Sequence, residues 1–167
     1  MKKTKSIVAI VKGTQYEATR KALSLIRNEI KPPKNSQILL KPNLLSSKKS
    51  QLVNTDPRVC LAAYDFFKEE KGINDIIIGE GTTYKTPKVK VSMKNNEYFK
   101  YKKDWRYIDF AEDEPEKWFK IYEAIGERNL ELGIAKSVIN SKYLVSIPKL
   151  KTHDVLGLTL SLKNFMG

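Results

Sequence analysis

Short apolar runs bounded by charged or turn-forming residues restrict this chain to a small set of folds. Ile7-Val8-Ala9-Ile10-Val11 lies within Lys5 to Lys12, Ile38-Leu39-Leu40 within Gln37 to Lys41, and two more runs span Ile73 to Ile78 and Tyr143 to Ile147. Runs of this length, without strict alternation, suit parallel strands buried on both faces. Helical stripes separate them. After Thr14, a plausible cap, Ala18, Ala22, Leu25, Ile26 and Ile30 recur at helical spacing until Lys31-Pro32-Pro33 stops the pattern. Thr55-Asp56-Pro57 opens a second helix with a capping side chain ahead of a first-turn proline. Val59, Ala62, Ala63, Phe66 and Phe67 share one stripe, and Lys71-Gly72 closes it with a left-handed stop. Strands alternating with helices predict an α/β fold, a mostly parallel sheet with helices on both faces in a Rossmann-like three-layer arrangement.

The remaining segments are less regular. Asn43 to Asn54 is polar with no period. Thr82 to Asp104 is Lys-rich with scattered Tyr, the pattern of an insertion or mobile lid over 82–104. Arg106 to Phe110 reads as a short strand, Pro115 to Ile125 fits helix and strand equally, and Glu127 to Lys136 is weakly helical. No linker and no repeat of 20 to 50 residues divides the 167 residues, so 1–167 is expected to be one domain.

A single cysteine, Cys60, excludes an internal disulfide and an iron–sulfur cluster supplied by this chain alone, and its place on the second helix suits a small core residue. No apolar stretch approaches the length of a membrane span, and the run after Lys5 is too short for a secretory signal, so a reducing, cytoplasmic setting is expected, with no membrane partner. The net charge of +12 is patchy. Residues 1–50 carry twelve bases against two acids and 84–103 seven lysines against Glu97, whereas 104–131 carry nine acids against four bases. Such basic patches attract phosphates, on nucleic acid or on a small ligand. Only five of the 31 bases are Arg, and lysine serves solvated surface more than bidentate readout.

Three polar clusters directly follow strands: Lys41-Pro42-Asn43, Gly79-Glu80-Gly81, and Pro148-Lys149-Leu150-Lys151-Thr152-His153. In an open parallel sheet the carboxyl ends of the strands lie along one edge, where ligands bind, so clusters distant in sequence are expected to meet. The glycines beside Glu80 allow close approach of a ligand. Glu80 and His153, the only imidazole, are candidates for proton transfer or metal ligation; no metal can be named. Lys41, Lys149, Lys151 and Lys163 would supply positive charge, with Asn43, Thr152 and Asn164 as hydrogen-bonding groups. The run Thr159 to Gly167 would begin a helix whose amino end faces an anion. Neither the P-loop nor the dinucleotide glycine pattern occurs, so the residues name no nucleotide cofactor.

The ordered set Lys41-Pro42-Asn43-Leu44, Thr55-Asp56-Pro57, Gly79-Glu80-Gly81, Ile147-Pro148-Lys149-Leu150-Lys151-Thr152-His153 and Leu160-Ser161-Leu162-Lys163-Asn164-Phe165-Met166-Gly167 resembles the domain of unknown function 362 family. The resemblance spans residues 41 to 167 and implies that all five clusters, Asp56 included, belong to one site. It implies no reaction. Members occur in bacteria and archaea, often joined to a ferredoxin-type iron–sulfur module that this chain lacks. Family domains continue past the Lys-Asn-Phe-Met-Gly motif, so the chain resembles an amino-terminal portion whose sheet would present an unpaired edge to a second copy or a complementing subunit. The leading expectation is an enzyme, or part of one, that binds an anionic small molecule, carboxylate or phosphate, at the strand ends. The alternatives are a basic nucleic-acid-binding protein, or a redox accessory to a separate iron–sulfur subunit.

Overall fold

A computed structural model of the chain describes residues 6–50, 52–81, 88–123, 128–153 and 157–165, with the backbone alone described over 115–132 and at residue 153. In chain order the elements are α1 (Gln15–Leu25), β1 (Ile38–Pro42), α2 (Pro57–Asp65) continued by a π-helical turn at Phe66–Glu70, β2 (Ile76–Glu80), α3 (Val89–Asn95), α4 (Tyr98–Tyr101), β3 (Tyr107–Asp109), β4 (Pro115–Glu123), β5 (Arg128–Ala135), α5 (Lys136–Asn140), β6 (Tyr143–Ile147), β7 (Lys151–His153), β8 (Gly157–Thr159) and α6 (Ser161–Asn164). One four-stranded sheet runs in the order β3-β2-β1-β6, with every neighbouring pair parallel. The fold is therefore α/β. Two antiparallel hairpins, β4–β5 and β7–β8, stand outside that sheet.

The sheet's order determines where a crevice forms. The chain steps outward from β1 to β2 to β3, then returns to place β6 on the other side of β1. The connections leaving β1 and β6 thus diverge, which is the topological switch point at which open α/β sheets bind ligands.

Strand residues alternate between the two faces. Ile38, Leu40, Ile76 and Ile78 face the main core with Cys60, Phe66, Phe67, Met93 and Tyr98. The other face carries Leu39 and Ile77, register partners that are both buried, and the half-exposed Leu144. Phe110 covers part of it: a Cβ on Gly79 would lie 2.5 Å from the Phe110 ring and 2.9 Å from Leu39 Cδ1. Gly79 sits in extended β2, so its requirement is the space beneath that ring. Gly79→Ala is expected to destabilise the fold by about 1–3 kcal/mol through overpacking. Urea denaturation checks this, with Phe110→Ala in the same chain expected to relieve the clash.

The second helix starts as its sequence dictates. The Asp56 side chain accepts from the Arg58 backbone N–H, Pro57 occupies the first turn, and Gly72 adopts φ 67° just beyond the π-helical turn. The strand expected over Lys5–Lys12 is absent from residues 6–12, where Ile7, Val8 and Ile10 are 57%, 76% and 91% exposed. Apolar β-branched composition forms a strand only where a neighbour offers ladder hydrogen bonds, and no described strand pairs with this segment.

Two further corrections follow. Residues 82–87 lie outside the described residues, but the rest of the expected lid is α3, α4 and the approach to β3, with Val89, Met93, Tyr98 and Trp105 all buried in the core. Where a helix is expected over Glu127–Lys136, Arg128–Ala135 is strand β5, paired antiparallel with β4 over Pro115–Glu123; Lys136 begins α5, and residue 127 lies outside the described residues. Leu130, Leu132 and Ile134 alternate at strand period, and the partner that stabilises them lies upstream in the ambiguous Pro115–Ile125 segment. At the hairpin's base the Ser137 N–H donates to Asp113 Oδ2 at 2.8 Å.

Candidate functional site

The carboxyl end of β1 leads into a loop that Asn43, Asn54 and Thr55 organise. The Asn43 N–H donates to Thr55 Oγ1 at 2.9 Å, and that hydroxyl donates to the Ile147 carbonyl at 2.6 Å, so one side chain joins the ends of β1 and β6 across the switch point. Asn43 Nδ2 donates to the Val53 carbonyl at 2.7 Å, and Lys151 Nζ reaches the same carbonyl at 3.3 Å. Asn54, 2% exposed, exchanges hydrogen bonds with the Ser46 backbone and donates to Asn96 Oδ1, tying the loop to the α3–α4 junction.

Lys41 and Glu80 meet where this loop leaves the sheet. Lys41 Nζ lies 2.6 Å from Glu80 Oε2, with side-chain exposures of 4% and 8%. Burial pushes the Glu80 carboxyl up to about 7, against the Lys41 ammonium, the Leu44 N–H and the Lys151 charge. Glu80 is thus a buried strand residue rather than a solvated turn carboxylate. Burial and the neighbouring Lys163 charge hold the Lys151 ammonium below its usual value, with Glu80 acting in the opposite sense. Asn164, on the single turn of α6, donates to the Lys41 carbonyl at 2.9 Å and to Ser146 Oγ at 3.0 Å, while its Oδ1 is buried without a hydrogen-bond partner. Phe110, directly after β3, places its ring centroid 6.0 Å from Lys41 Nζ.

Of the residues expected from sequence, Lys41, Glu80, Asn43, Lys151 and Asn164 therefore converge on one rim, and Lys163 joins them through its charge. Asp56 caps the start of α2, paired with Arg58, and Lys149 acts on it through charge alone. There burial opposes ionisation of Asp56, but hydrogen bonds from Arg58 and the charge of Lys149 hold its carboxyl below the usual range. Thr152 is exposed on β7, and His153 is placed there by its backbone, opposite Gly157; its side chain lies outside the described residues. The expected helix over Thr159–Gly167 is one turn, α6, too short to present a helix amino terminus to an anion.

Sequence reasoning missed Thr55 as the bridge between strand ends, the Val53 carbonyl as a shared acceptor, and Phe110. A glycine inside a strand, Gly79, was the available signal for Phe110, since such glycines mark close approach of another group. Cys60 is buried against the Tyr98 hydroxyl at 3.6 Å, and burial pushes its thiol up to about 12, which makes it a core residue and no nucleophile.

Among the described residues no three His, Cys, Asp or Glu side chains cluster closely enough to hold a metal ion, and no helix is long and apolar enough to cross a membrane. No curated protein and no solved structure matches the chain. One family model does, covering residues 38–167, most of the chain, and its boundary coincides with the first residue of β1. On that match, the chain belongs to the family described as Domain of unknown function (DUF362).

Proposed function

We propose that the chain binds an anionic small molecule, a carboxylate or a phosphate, in the crevice between β1 and β6. The observation that carries this reading is the crowding of cations at the switch point. Lys41 and Lys151 both act on one carboxylate, Glu80, and Lys151 is held below its usual ammonium value by burial and by the charge of Lys163. An anion bound there would offset that repulsion.

In this reading Lys41 and Lys151 hold the charge, with Lys149 and Lys163 adding to the local field. Asn43 and Asn164 keep the rim in shape, as their hydrogen bonds to Val53 and to Lys41 support. Thr152 is a hydrogen-bonding group at the mouth. Glu80, with a carboxyl near neutrality, and His153 are the groups suited to carry a proton to or from the ligand.

Thermal-shift and calorimetric titrations with inorganic phosphate and acetate test the reading. Binding raises the melting temperature, and Lys151→Ala weakens affinity roughly tenfold or more, the loss expected for a charge-assisted hydrogen bond. Unchanged affinity in both Lys151→Ala and Lys149→Ala would remove the site from this rim.

A further inference from the structure

Beyond its charged mouth the crevice opens into a cleft of about 220 Å³ over the thinly covered face of the sheet. Leu39 of β1 and Leu144 of β6, direct register partners, both line it. The rings of Phe110 and Phe165 and the side chain of Val138 on α5 add further apolar wall. Leu144 and Phe165 are 38% and 48% exposed, an apolar surface left uncovered inside a concavity. Among the described residues, charge enters the lining only through Lys41 and Asp113.

This combination selects among anions. A compact hydrated anion at Lys41 leaves Leu144 and Phe165 in water, whereas a ligand with an apolar substituent removes them from it. An apolar cavity of roughly 150 Å³ already admits benzene, so the space here suffices for one ring. The Asp113 carboxylate repels a second negative group from its part of the cleft. We infer that the ligand is an anion bearing a single negative group and an apolar part about the size of one aromatic ring, with its charge at Lys41 and its ring against Leu39, Leu144, Phe110 and Phe165. This inference rests on the anion-binding reading and narrows it to one ligand class.

Methyl carbon-13 NMR titration of the whole chain tests it with two pairs of probes, acetate against benzoate and inorganic phosphate against phenyl phosphate. The ring-bearing member of each pair is expected to bind roughly tenfold or more tightly. It should also shift the methyl signals of Leu144 and Val138. Val138→Phe, which fills the cleft from α5, is expected to abolish that advantage while leaving acetate and phosphate affinities unchanged. Equal affinities within each pair, or an advantage without shifts at Leu144 and Val138, overturn the inference and leave the anion-binding reading standing. Benzyl alcohol binding as tightly as benzoate would overturn the charged half of the inference and, with it, the reading beneath.

Discussion

Lys41→Met is expected to destabilise the protein by about 3–5 kcal/mol at pH 8, because it strands a buried carboxylate without its partner. Lys41 Nζ is the only ammonium in hydrogen-bond contact with Glu80 among the described residues, and both side chains are removed from water. The loss should shrink below pH 7, where Glu80 takes up a proton and no longer needs a counter-charge. Adding Glu80→Gln to Lys41→Met should recover most of the stability at pH 8, since a neutral amide leaves no buried charge. Urea denaturation of the four proteins at pH 5 and pH 8 forms a double-mutant cycle. Equal losses at the two pH values would mean that Lys41 contributes packing alone.

The second large effect is the pH dependence that Glu80 itself confers. Its folded-state value of about 7 exceeds the ordinary 4.5, so the folded chain holds a proton that the unfolded chain releases between those values. Stability from this group is therefore fully present below pH 4.5, falls as pH rises, and is lost above about 7. A difference of that size corresponds to about 3 kcal/mol. Glu80→Gln removes the titration. The mutant's stability relative to the wild type should therefore improve steadily from pH 4.5 to pH 7.5, as denaturation midpoints across that range will record. A difference that stays flat, or that moves the other way, would show that the pair is stabilised in its ionised form.

Much of the fold was legible because its signals are local. Ile38 to Leu40, Ile76 to Ile78 and Tyr143 to Ile147 carry apolar runs that need no knowledge of their partners, and Asp56, Pro57 and Gly72 mark the second helix by backbone chemistry alone. Ile7 to Val11 carries the same signal and forms no strand, since a ladder also needs a partner, and among the described residues no strand pairs with it. The helices at Val89–Asn95 and Tyr98–Tyr101 were hidden because their inward positions mix Val89 and Met93 with Ser92 and Asn96, so no apolar stripe appears. The β4–β5 hairpin was missed because a strand's stability lies in its cross-strand partner.

The site was legible to the same degree and for a related reason. Parallel strands place all their carboxyl ends on one edge, which sufficed to bring Lys41, Asn43, Glu80, Lys151 and Asn164 together from positions up to 123 residues apart. Sequence could not assign the pairings within that group. Whether Glu80 faces water or Lys41 depends on how the loop after β1 closes over it, and that closure is fixed by Thr55, Asn54 and Asn96 through bonds between distant segments.

A carbon-13 titration of the Glu80 carboxyl, assigned by comparison with Glu80→Gln, is the most direct test of the claim that the strand ends close over one buried charge pair. The account predicts a midpoint near 7 in the free protein. A midpoint at or below 4.5 would contradict it, since the Lys41 charge would then outweigh burial and hold Glu80 ionised.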